Sequence, residues 1–342
     1  NRDNYTLCAY TIQFLEDEYE TLKSTTRSMQ EIKADLQQKL GLIRPVLVSS
    51  RDNILKGNFH EYAPVQFVSA IVAQIQDHPE MGVVAFRGTK NNQEWETDLA
   101  SQRLFDISKP FQGGDQTGEV TYFPHVEPSM FAPDTMMTTG WFDLYNRLKG
   151  PRTKTGCYCK QRCRHGTCPV LDSSDVSKMD DTCSPRDCGL MKCDDCTTDA
   201  SCSLAQGIWT AVHDLATNHG VKSFIFTGHS LGGAMVTISA FHIAASLGPG
   251  MIHSCYPIAA PRVGNQVFVN RFNKLVPRCY RVDNTRDWVN NVPLGKQFAH
   301  VGNNQYVFTS PEIPGAKPQD MPYHELITVY LKDGLQQLPF DE

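Results

Sequence analysis

Phe224-Ile225-Phe226-Thr227-Gly228-His229-Ser230-Leu231-Gly232-Gly233 is the stretch that decides the fold. A short apolar run enters a glycine-rich turn, and residues 231–247 then continue as a long helix candidate. The turn contains Gly-x-Ser-x-Gly between a strand and a helix, the context that a nucleophile elbow requires. A serine in so tight a turn brings its backbone close to both flanking elements. Gly228 and Gly232 remove the side chains that would collide there. Ser230 then lies at a helix N-terminus, where unpaired N–H groups and the helix dipole favour negative charge. Leu231 can donate its backbone N–H to an oxyanion. The alternative is a glycine-rich turn with an incidental serine; the flanking elements argue against it.

Outward from the elbow, strands and helices alternate. Residues 254–260 and 279–283 read as strands, and 208–218 and 265–275 as helices. Residues 324–331 read as a closing helix. Upstream, residues 65–75 and 81–86 are strand-like, and 5–22 and 29–42 are helical. Residues 103–138, rich in Pro, Gly and Asp, read as irregular connections. Alternation of this kind implies crossovers and a largely parallel sheet covered on both faces.

The partners of Ser230 are sought by chain order, because in this architecture the acid and then the base follow the serine. Of eleven histidines, His300 and His324 lie beyond Ser230 with an acid between. His324 follows Met321-Pro322-Tyr323 at the entry to a helix and is favoured; His300 lies in a Gly- and Asn-rich turn. His229 adjoins the serine, but neighbours in such a turn point apart, so a packing or hydrogen-bonding role is expected. Asp283, Asp287, Glu312 and Asp320 are the candidate acids, and Asp287, just after a strand, is favoured. A triad acid orients the imidazole and stabilises its protonated form. A second oxyanion donor is expected from an early strand-to-helix loop, where Phe86-Arg87-Gly88-Thr89 points to Thr89.

Taken together, these residues resemble the class 3 lipase family, the fungal-lipase-like branch of the α/β hydrolases. The matching segments are Ala85-Phe86-Arg87-Gly88-Thr89, Trp95, Asp98-Leu99, Gly140-Trp141-Phe142 and Thr227 to Ala234. Ala260-Pro261-Arg262-Val263-Gly264-Asn265, Asp287 and Tyr323-His324-Glu325 complete the set. The resemblance covers about residues 60–145 and 205–332. It implies ester hydrolysis on lipids, with Ser230 as nucleophile, Asp287 as acid, His324 as base, and Thr89 and Leu231 as oxyanion donors. It also implies a lid over about residues 90–105, with Trp95 as an aromatic contact or a core residue. The chain departs from the family pattern at Thr138-Thr139, where a histidine often stands. Proline after the acid is postponed to Pro293.

Composition narrows the class. Of 342 residues, 40% are hydrophobic and 20% charged, the profile of a folded soluble protein. Net charge is -5 without basic blocks, so no nucleic-acid partner is expected. No run reaches a membrane span; the nearest, 231–247, carries Thr237, Ser239, His242 and Ser246 and reads as a buried helix. Asn1 opens the chain without a signal-peptide pattern, which reads as a leader removed or a trimmed start. Asn4-Tyr5-Thr6 fits an N-glycosylation sequon.

Nine of twelve cysteines fall between Cys157 and Cys202. Residues 150–206 have few large apolar side chains, so they must be stapled rather than packed. Four internal disulfides, one bridge to Cys8 and an oxidising compartment are expected, with Cys255 and Cys279 as free core residues. Zinc is the rival, through Cys157, Cys159, Cys163, His165, Cys168, Cys193 and Cys196.

The expectation is one α/β-hydrolase domain over residues 1–342, with a mostly parallel central sheet, helices on both faces and a cysteine-rich insertion at 150–206. The expected activity is that of a secreted triacylglycerol lipase working through an acyl-enzyme. It would need no metal or cofactor and would act on a lipid ester, at a lipid–water interface. Phospholipase A1 and soluble-ester esterase are alternatives with the same chemistry. A cysteine-rich binding protein with an inactive hydrolase belongs to another class.

Overall fold

In the computed structural model, the residues described are 2–23, 29–55, 62–88, 103–109, 111–112, 120–121, 123–146, 203–315 and 322–338. Helices α1 (Arg2–Lys23) and α2 (Met29–Leu40) come first, then strands β1 (Leu42–Leu55), β2 (Tyr62–Ile75) and β3 (His78–Phe86). Short strands β4 (Leu104–Asp106), β5 (Phe111–Gln112), β6 (Val120–Thr121) and β7 (Met136–Thr138) precede α3 (Thr139–Asn146). Next come α4 (Leu204–Asn218), β8 (Ser223–His229), α5 (Leu231–Leu247), β9 (Ile252–Ile258) and α6 (Gln266–Leu275). Strands β10 (Tyr280–Asn284) and β11 (Asn304–Phe308), a π-helical segment (Leu326–Leu331) and α7 (Lys332–Gln337) close the described chain.

The central sheet runs β1-β2-β3-β8-β9-β10-β11. Neighbours from β3 to β11 are parallel, while β1 and β2 join as antiparallel strands at one edge. Successive side chains of a strand point to opposite faces, and here both faces are buried. Val84, Phe86, Phe224 and Phe226 pack on the side of α4, α5 and α6. Val83, Ala85, Ile225 and Tyr256 pack on the other side, with Tyr5, Ile12 and Leu15 of α1. Each fully buried Val, Leu, Ile or Phe among these stabilises the fold by about 1.5–3 kcal/mol.

Helix α5 is buried around its whole circumference from Leu231 to Ala244, which accounts for its unbroken apolar sequence. Among the described residues no helix is long and apolar enough to cross a membrane. Helix α6 starts at Asn265, whose side chain accepts from the Phe268 N–H at 2.9 Å. The same Asn265 oxygen accepts from Met136 N at 3.2 Å, and Thr138 N donates to the Val263 carbonyl at 2.9 Å. Residues 261–265 therefore cap a helix and pin β7.

Several elements differ from the sequence expectation. Residues 42–55 form a long strand, although their polar residues hide it. Within 103–138, the short strands β4 and β7 pair antiparallel. The closing helix begins as a π-helical segment at Leu326, two residues after His324. Cys8 is a free thiol, wholly buried on the face of α1 that packs on the sheet, instead of bridging outward. Burial pushes the Cys8 thiol up to about 12. Cys255 of β9 and Cys279, just before β10, are also buried free thiols on neighbouring backbone joined by a parallel bridge. The expected bridges and zinc ligands of the insertion lie outside the described residues.

Candidate active site

Ser230 has φ 58° and ψ -125°, a left-handed conformation rare for a residue with a side chain. The surrounding structure fixes it. Its N–H donates to the Ile258 carbonyl at 3.0 Å, and its carbonyl accepts from Gly233 N at 2.8 Å. A Cβ at Gly228 would lie 2.1 Å from the Gly232 carbonyl oxygen, and one at Gly232 would lie 2.5 Å from the Arg87 oxygen. Those distances exclude any side chain at either position. The Ser230 hydroxyl is buried and makes no hydrogen bond among the described residues. Leu231 opens α5, so its N–H is among the first-turn donors that have no intrahelical carbonyl.

Asp287 and His324 come together as expected. Asp287 follows β10 in a turn in which its own N–H donates to the Asn284 carbonyl at 3.0 Å. Its Oδ1 accepts from Val289 N at 2.9 Å. Its Oδ2 meets His324 Nδ1 at 2.6 Å. This arrangement leaves the His324 Nε2 edge to face away from the acid. Burial holds the His324 ring below the usual imidazole range; the Asp287 hydrogen bond opposes that effect and the neighbouring His229 ring adds to it. A base shifted in this direction stays neutral at neutral pH and can accept a proton.

The rival residues have other partners. His300 Nε2 faces the Asn290 carbonyl at 2.5 Å, and burial pushes the ring down to about 3. Asp283 forms a buried pair with Arg281 and accepts from Gln305 Nε2 at 2.9 Å. Glu312 is exposed. His229 Nε2 donates to the His324 carbonyl at 2.8 Å, so its role is to hold the base loop. Asp320, the oxyanion candidate Thr89, and Trp95 with residues 90–102 of the expected lid lie outside the described residues.

Two groups at the site were not anticipated. The Tyr330 hydroxyl, from the π-helical segment, donates to Asp287 Oδ2 at 2.7 Å. Glu16 of α1 reaches the same corner, accepting from Gly88 N at 3.2 Å. Neither carries a local signal, because each acts across a large separation in the chain.

A family model described as Lipase (class 3) matches residues 83–297. The chain belongs to the class 3 lipase family. The match spans the elbow and Asp287 and ends before His324, the candidate base. Secreted mono- and diacylglycerol lipase 1 of Fusarium solani is 34% identical over 90 residues, 26% of this chain and 26% of that protein. Phospholipase A1-II 6 of Oryza sativa subsp. japonica is 35% identical over 100 residues, 25% of this chain and 24% of that protein. The chain thus spans about a quarter of the length of the curated relatives it matches. The solved structure of lipase II from Rhizopus niveus aligns over 95% of this chain and 91% of that one, at 15% identity and a TM-score of 0.47.

Proposed function

We propose that this class 3 family member is a secreted, lipase-like serine hydrolase that cleaves carboxylic esters of lipids through an acyl-enzyme. The single observation that carries the reading is the 2.6 Å contact of Asp287 with His324, on two loops that flank the strained Ser230 turn.

In this reading His324 Nε2 takes the proton from Ser230 Oγ as the oxygen attacks the ester carbonyl. Asp287 accepts the Nδ1–H and stabilises the imidazolium that forms. The oxyanion is held by the N–H groups of Leu231 and Thr89. His324 returns the proton to the leaving alcohol, then activates a water that releases the fatty acid. The chemistry calls on no metal or organic cofactor.

The preferred substrate is an acylglycerol met at a lipid–water interface, in keeping with the name of the Fusarium relative. Phospholipase A1 activity is the second reading, favoured by the likeness to the rice protein. The catalytic unit is read as one domain over residues 1–342 carrying a cysteine-rich insertion at 150–206. The cysteine content and the secreted relative support an oxidising compartment.

A substrate panel tests the reading: triacylglycerol, phospholipid and short-chain ester, each below and above micelle formation. Higher turnover of triacylglycerol above that point supports the lipase reading. Preference for phospholipid moves the assignment to phospholipase A1. A protein inert on all three contradicts the hydrolase reading.

A further inference from the structure

The catalytic elements of the class 3 family member meet α1 at one corner. Glu16 is nearly buried there, on the helix face that packs against β3 and β8. Its Oε1 accepts the Gly88 N–H at 3.2 Å. Gly88 immediately precedes Thr89, the expected oxyanion donor. The same oxygen faces His229 Nδ1 at 3.6 Å. The other nitrogen of that ring, Nε2, lies 2.8 Å from the His324 carbonyl oxygen. A carbonyl can only accept, so Nε2 is the donor, and Nδ1 meets the Glu16 carboxylate as an ion pair when the ring carries a proton on both nitrogens. The His229 and His324 rings lie 4.6 Å apart, centre to centre. One carboxylate therefore contacts both Gly88 and, through His229, the loop that carries His324.

We infer that Glu16 is a positioning residue for ester hydrolysis, setting Gly88 and the His324 loop in register through a single carboxylate and the His229 ring. This rests on the hydrolase reading above and goes beyond it, because the N-terminal helix becomes part of the active-site framework.

The geometry has two consequences. Loss of the carboxylate leaves the Gly88 N–H without its acceptor and His229 without the group that opposes its Nδ1. Misplacement of reacting groups by about 1 Å costs on the order of a hundredfold in rate. The second consequence is electrostatic. The negative charge of Glu16 favours the protonated form of His324, against the opposite effects of burial and His229. Among the described residues, the other ionisable groups at this corner include Asp287, Tyr330 and Arg87, whose Nη1 donates to the Gly88 carbonyl at 2.8 Å.

The test compares Glu16→Ala and Glu16→Gln in the full chain, on a soluble short-chain ester. Ser230→Ala is the inactive control, and a thermal melt checks folding. Glu16→Ala is expected to lower kcat by about tenfold or more with KM within about twofold. Glu16→Gln keeps an oxygen to accept from Gly88 and should recover most of kcat. Both variants should move the acidic limb of the rate profile to lower pH, which a change confined to packing would not do. If Glu16→Ala does not fold, the pH limb of Glu16→Gln decides alone. An unmoved limb, or kcat of Glu16→Ala within twofold of the wild type, overturns the role of Glu16 and leaves the hydrolase reading standing. A wild type without Ser230-dependent hydrolysis overturns both.

Discussion

Tyr330 donates its hydroxyl to Asp287 Oδ2 at 2.7 Å, the same oxygen that holds the His324 ring. The hydroxyl also accepts from Asn284 N at 3.2 Å and from Asn290 Nδ2 at 3.4 Å. It thereby fixes the acid to both the end of β10 and the turn after it. Tyr330→Phe keeps the ring and removes these bonds, taking the hydroxyl acceptor from the buried Asn284 N–H, while Asn290 Nδ2 keeps the Asn284 carbonyl at 3.0 Å. The expected cost is about 1–3 kcal/mol of stability, read by urea denaturation. Activity should fall several-fold through looser placement of His324. Unchanged stability would show that the hydroxyl is dispensable.

Gly228 and Gly232 admit no side chain, because an added Cβ would meet backbone at 2.1 Å and 2.5 Å. Gly228→Ala should therefore push the elbow apart and destabilise the protein by about 3 kcal/mol, the upper end of ordinary overpacking. Soluble expression and the denaturation midpoint report this. An alanine variant with wild-type stability and turnover contradicts the elbow geometry.

His324 sits below the ordinary imidazole range, chiefly through burial. The base works in its neutral form. The acidic limb of kcat/KM should accordingly fall below about pH 6.5, the unperturbed value. A limb at or above that pH would show that the ring is not held as described.

His242 supplies a separate test through stability. It is wholly buried between Tyr145 and the Pro124 carbonyl, and burial lowers it to about 4. Below about pH 6.5 the unfolded chain binds a proton at this site that the folded chain refuses. Stability is therefore intact above pH 6.5 and is lost as pH falls toward about 4, by up to about 1.4 kcal/mol per pH unit from this residue. His242→Gln should flatten that slope in denaturation curves taken across the range. An equal slope in wild type and variant would assign the acid sensitivity elsewhere.

The candidate site is legible to the extent that its signals are local. The elbow announces itself through two glycines that only close packing demands, and chain order narrowed the histidines. Asp287 could be chosen over Asp283 by its place after a strand; the structure adds that Asp283 is already paired with Arg281. Strand β1 was missed because an edge strand tolerates Arg44, Arg51, Asp52 and Asn53. The π-helical entry at Leu326 is indistinguishable from an ordinary helix in the sequence, since apolar spacing does not separate the two over one turn. Tyr330 and Glu16 were illegible for a different reason. Their roles are created by packing between segments more than forty residues apart in the chain, as Tyr330 and Asp287 are by 43. The bridge assigned to Cys8 failed because cysteine counting ignores which face of a helix is buried.

A mechanism-based phosphonate ester tests the central claim most directly, because it labels only a serine activated within a working site. The account predicts one equivalent of label per chain, located by mass spectrometry on Ser230. It also predicts that Ser230→Ala folds normally, takes up no label and hydrolyses no ester. Label on another residue, or ester hydrolysis by Ser230→Ala at the wild-type rate, would contradict it.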